Sequence, residues 1–139
     1  MASLIYNSAI DDMARNNIDF DTNTFKAMLV TSSYTPNKDT HDKRDDVTNE
    51  VAATGGYTAG GVTTVCTVTK DTANDRVTLQ FAAVSWATST ITARALVIYK
   101  SLGGASSADA LVAYNDFGSD VSSTAGTFSV AASTITLQN

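Results

Sequence analysis

His41 is the only histidine of the chain. It lies between Asp39 and Asp42 in the stretch SYTPNKDTHDKRDDV, Ser33 to Val47, which also holds the only proline, Pro36. Histidine beside carboxylates is the residue set of a nucleophile-activating relay, but that relay also needs a serine in hydrogen-bond reach and donors for an oxyanion. The sequence has no G-x-S-x-G elbow and no strand–turn–helix context around His41. A histidine in such a charged, turn-rich segment is expected to be solvated or to hydrogen-bond at an interface, and no enzymatic activity is expected. Asp19, Asp21 and Asn23 look like the opening of a calcium loop. That loop wants glycine at its sixth position and glutamate at its twelfth, where this chain has Thr24 and Val30. A turn built by Asx side chains is the expectation, with no metal and no cofactor. The run GGYTAGG, Gly55 to Gly61, lacks the G-K-[ST] of a phosphate-binding loop and leads into a strand. Its glycines suit positive φ or close backbone approach, and Tyr57 in their midst is expected to stand exposed as an interface anchor.

Other candidates are weaker. The acidic neighbours Asp11–Asp12 and Asp45–Asp46 would point to opposite faces of a strand, which argues against a working carboxylate pair. Glu50 is the only glutamate, and Trp86 at a strand end reads as core. Cys66 is the only cysteine, so it can form neither an internal disulfide nor a cysteine-based zinc site, and among β-branched neighbours it reads as a small buried residue.

The elements that must position these residues are mostly strands. Residues 4–17 suggest a short helix or an irregular entry, with Ser8 and Asp11 suited to a first helical turn. Phe25 to Ser32 is a strand with apolar residues on both faces, so both sides should be partly covered. Residues 33–61 form a long excursion rich in turn formers, with a short helical turn near Thr40 to Asp45; a connection of this length usually carries function. Val62–Lys70, Arg76–Val84, Thr90–Lys100 and Ala110–Gly118 read as strands, 119–126 as a loop, and 127–139 as a kinked strand or hairpin. The expected fold is all-β: a single-domain antiparallel β-sandwich, jelly-roll-like, with a short N-terminal helix and one long arm at 33–61.

The chain of 139 residues has a net charge of −5, 43% apolar and 17% charged residues. The few scattered Lys and Arg make no basic patch, so direct binding to nucleic acid or to an anionic membrane is not expected. The start has no basic region ahead of an apolar run, so a secretory signal is not expected. A lone cysteine fits the cytosol, or assembly there.

The series Ser33, Tyr34, Thr35, Pro36, then Asp39, Thr40, His41, then Asp46 to Val51, Thr54, and Tyr57 to Gly61 resembles a family of small structural proteins of tailed-bacteriophage virions. The similarity runs on through TITARALVIYK and AYNDFGSDVSS and covers most of the chain; the doubled glycine Gly55–Gly56 before Tyr57 is a departure. The resemblance implies a capsid decoration, or cement, protein. It would be assembled in the host cytoplasm, sit on the capsid exterior, and clamp neighbouring copies of the major capsid protein, itself acting as a dimer or trimer. In that reading Tyr34, Pro36 and Tyr57 are apolar anchors, while Lys38, Asp39, His41 and Arg44 supply polar contacts. Alternatives are a tail, fibre or head–tail joining component, or a glycan-binding β-sandwich. The last requires exposed aromatics among Tyr6, Tyr34, Tyr57, Trp86, Tyr99 and Tyr114.

Overall fold

The computed structural model describes residues 2–139. In chain order it contains β1 (Leu4–Ile5), α1 (Asn7–Ala14), β2 (Phe25–Val30), β3 (Val62–Thr64), β4 (Cys66–Asp71), β5 (Arg76–Phe81), β6 (Val84–Lys100), β7 (Leu111–Val130) and β8 (Ser133–Gln138), with single 3-10 turns at Arg44–Asp46 and Ser106–Ala108. A five-stranded sheet of order β1-β7-β6-β2-β3 faces a three-stranded sheet of order β4-β5-β8, and every pairing is antiparallel. This is the all-β sandwich with one short helix that the strand pattern implies.

Three local readings need correction. The run Val62–Lys70 is two strands: it breaks at Val65, which is 67% exposed, and the chain passes there from the large sheet to the small one. Residues 119–126 are not a loop. They continue β7, which pairs with β6 from Tyr99↔Leu111 to Val84↔Val130 as one long hairpin. Turn-forming residues are tolerated there because β6 supplies the ladder, while register shifts absorb the irregularity and Gly118 and Ala125 take positive φ. The helix begins at Asn7, behind a two-residue strand; among the described residues no side chain caps it, and the buried Ser8 hydroxyl has no partner.

β2 fixes the layering. Phe25, Ala27 and Leu29 join Phe81, Leu79, Trp86, Ile98 and Phe128 in the core between the sheets. Met28 and Val30, on the other face, join Tyr6, Tyr34, Val97, Tyr99 and Leu111 in a second core. The large sheet is therefore covered on both sides, as the apolar residues on both faces of β2 require. The second cover comes from the excursion after β2, through Tyr34 and Val47, together with Tyr6 at the head of α1. Burying each such large side chain contributes on the order of 2 kcal/mol.

Candidate interface surfaces

The excursion turns back onto its own fold. Tyr34 and Tyr57 are each 3% exposed and Pro36 is buried, so none of the three is a surface anchor in this structure. Tyr34 lies in the core on the outer face of the large sheet and Tyr57 in the core between the sheets, and the phenol oxygens find partners inside. The Tyr34 hydroxyl lies 2.9 Å from the Tyr6 hydroxyl and 3.0 Å from His41 Nδ1, with the Tyr34 and His41 rings stacked at 5.8 Å. The Asn37 N–H also donates to His41 Nδ1, at 3.3 Å, so that nitrogen is an acceptor. His41 is thus a half-buried structural residue that closes the turn from Asn37 to His41 over Tyr34.

Further along, the Glu50 carboxylate accepts the Tyr57 hydroxyl at 2.7 Å and the Gly60 N–H at 2.6 Å. The Tyr57 ring packs against Trp86. Tyr99 donates its hydroxyl to the Gly60 carbonyl at 2.6 Å, and burial pushes its pKa up to about 12. Gly60 and Gly61 both take positive φ, and a Cβ at Gly61 would run into the Ala27 carbonyl. Gly61 therefore serves close approach to β2, while Gly60 faces the Tyr99 hydroxyl. Arg44 donates to Asp109 at 2.8 Å and lies over the Tyr99 ring at 5.1 Å.

Between Thr35 and Asp45 the excursion leaves polar residues outside: Thr35, Lys38, Asp39, Thr40, Asp42 and Asp45 are exposed. Asp39 is also held by Asn7 at 2.6 Å, and the Lys38 carbonyl accepts the Asn7 N–H at 3.0 Å, which pins this ridge to the start of α1. Of the seven sequence-derived contact residues, Lys38 and Asp39 are exposed, His41 and Arg44 are half-buried, and Tyr34, Pro36 and Tyr57 are inside. All six candidate aromatics of a glycan platform are buried as well, none above 4% exposure. The Asp19 carboxylate is engaged by the Asp21 N–H and the Thr22 hydroxyl, an Asx-type turn whose hydrogen bond from Thr22 lowers the Asp19 pKa. Cys66 is buried and burial raises its thiol pKa to about 11, which fits an inert core thiol.

Strand edges are further candidate surfaces, and a Thr-rich edge strand that adds to a neighbour's sheet is an expectation of the sequence. β4 and β8 bound the small sheet, and among the described residues no strand lies beside the outer edge of β8. Between β8 and β1, on the open side of the sandwich, lies a groove of about 560 Å³ whose apolar walls include Leu4, Ile5, Phe81, Ile98 and Ile135. The alternation in STITLQ is a signal for the strand, but edge position depends on strand order, which periodicity does not encode.

Compared with protein-family models, curated proteins and solved structures, the chain matches none of them.

Proposed function

We propose that this chain is a bacteriophage capsid decoration protein that binds the outside of an assembled shell and stabilises contacts between neighbouring major capsid proteins. The observation that carries the reading is the way the Ser33–Gly61 series, the segment resembling virion proteins, is built into one body. Its tyrosines, Glu50 and Arg44 are spent on internal contacts that fix the exposed ridge from Thr35 to Asp45 in one shape. A rigid surface loses little conformational freedom on docking, so modest polar contacts suffice for affinity. Capsid sites repeat by symmetry, and linked copies convert weak single contacts into tight binding. The acidic balance of −5 turns the protein away from packaged nucleic acid and toward protein partners.

This reading moves the contact from aromatic anchors to the ridge bearing Lys38, Asp39 and Asp42. The test is co-sedimentation of purified protein with shells that lack it, followed by heating. Binding in a copy number set by shell symmetry, with a raised disruption temperature, is expected. Lys38→Glu combined with Asp42→Lys should weaken binding without altering the isolated fold. No binding to shells, or labelled protein found only on tails, overturns the reading.

A further inference from the structure

We infer that two copies of this chain associate through the outer edge of β8, which pairs antiparallel with β8 of the second copy about a two-fold axis beside Thr136. The inference deepens the proposed function by naming the surface that joins copies. It is tested on the free protein, so failure of the dimer and failure of shell binding are read separately.

An unpaired strand edge invites another strand, and proteins usually guard such edges by shortness, charge or irregularity. Several other edges here are guarded. β1 and β3 are two and three residues long. β4 ends in Lys70 and Asp71, and β7 beyond β1 carries the exposed Asp120, with Gly118 at φ 83° two residues before it. β8, Ser-Thr-Ile-Thr-Leu-Gln, has no charge, proline or glycine. In a chain of net charge −5 it is a strand that meets its own copy without like-charge repulsion.

The geometry suits self-pairing. The Asn139 N–H donates to the Asp75 carbonyl, continuing the β5–β8 ladder. Ladder bonds alternate, so Ser133, Ile135 and Leu137 direct their N–H and C=O groups at β5, while Thr134, Thr136 and Gln138 direct theirs outward. A two-fold axis at Thr136 sets Thr136 opposite Thr136 and Thr134 opposite Gln138, the residues whose backbone groups are free to bond. It also sets Leu137, 36% exposed, opposite Ile135 of the copy. Faces are preserved: hydroxyls and amide meet each other outside, and Leu137 meets Ile135 on the side of the sandwich interior, at the mouth of the groove walled by Leu4, Ile5 and Ile98. Each copy thereby closes the open side of the other, and the symmetry stops growth at two.

Light scattering on the purified protein across a wide concentration range should give twice the chain mass. Thr136→Pro removes an outward N–H while sparing the β5 ladder, and Thr136→Lys sets like charges face to face. Both should shift the dimer to monomer, with the dissociation constant raised roughly tenfold or more. Thr69→Lys, on the opposite edge, should leave the dimer intact. In wild-type hydrogen exchange, the Thr134, Thr136 and Gln138 amides should gain protection as concentration rises, a readout that stands even where a Thr136 variant fails to fold. A monomer at every concentration, a dimer that survives both Thr136 substitutions, or edge amides unprotected in the dimer overturns the inference.

Discussion

The Tyr57 hydroxyl donates to the Glu50 carboxylate at 2.7 Å while accepting the Leu29 N–H at 3.0 Å. One phenol oxygen therefore ties the glycine-rich segment to β2 and to Glu50, which itself pairs with Val30 at the end of β2. Tyr57→Phe keeps the ring against Trp86 but leaves the Leu29 donor unsatisfied in a buried place. The expected loss is about 1–3 kcal/mol, read as a lower urea midpoint with an unchanged slope. Tyr57→Ala should cost more, about 3–5 kcal/mol, because it also empties the ring's place in the core. A stability effect of this size, with shell binding preserved in whatever protein stays folded, separates the internal role from that of an exposed anchor.

The glycines separate into two kinds by what surrounds them. Gly61 has φ 74° and sits against the Ala27 carbonyl and Met28 backbone, whereas Gly103 has φ 79° with open space around it. Gly61→Ala must push backbone against backbone and should abolish folding or drop the melting temperature steeply. Gly103→Ala pays only the left-handed penalty, about 1–2 kcal/mol. Thermal melts of the two variants side by side check the contrast; equal melting temperatures would contradict the close packing of the Gly61 segment on β2.

Much of this fold could be read from residue pattern. The alternation Val77, Leu79, Phe81 marks β5, and apolar residues on both faces of β2 announce two covers. That Tyr34 covers the outer face and Tyr57 enters the core between the sheets was not legible, because both carry the same turn-rich surroundings whether they point out or in. Their direction is decided by partners far along the chain, Tyr6 and Leu29, and local sequence carries no record of such pairing. The same holds for Ser119 to Gly126. By composition they are loop residues, and they stay in β7 because Ile91, Thr92 and Ala93 of β6 lie opposite, with Thr92 and Ser122 hydroxyls 2.8 Å apart. The extra break at Val65 follows from a change of sheet, which two adjoining β-branched runs do not advertise.

All five tyrosines are buried, and burial is the leading cause that raises each phenol above its ordinary value: Tyr6, Tyr34, Tyr57, Tyr99 and Tyr114. They are neutral in the folded protein at pH values where the unfolded chain already ionises. Unfolding then releases protons, so stability falls as pH rises above about 10, and the fall continues through the folded value of Tyr99, about 12. Below that window the phenols are neutral in both states and contribute no pH dependence. An absorbance titration of phenolate should therefore coincide with loss of β structure by circular dichroism. Tyrosines that ionise near pH 10, roughly the free value, with circular dichroism unchanged would contradict their burial.

Asp109 joins two segments that the chain keeps far apart. Its carboxylate accepts Arg44 Nε at 2.8 Å from the excursion and the Leu102 N–H at 2.9 Å from its own loop, and its side chain is 2% exposed against 22% for Arg44. The two halves of this pair should not be equivalent. Arg44→Ala strands a carboxylate that water cannot reach and also uncovers the Tyr99 ring, so a loss of about 3–5 kcal/mol is expected. Asp109→Ala frees a guanidinium that can turn toward solvent, leaving mainly the Leu102 N–H unsatisfied, and should cost less, about 1–3 kcal/mol. The double variant should cost less than the sum of the two, since each single change already breaks the shared bond. A urea-denaturation cycle over the four proteins measures this coupling. Additive losses, or a larger loss for Asp109→Ala than for Arg44→Ala, would show that the excursion is held to the β6–β7 loop by something other than this ion pair.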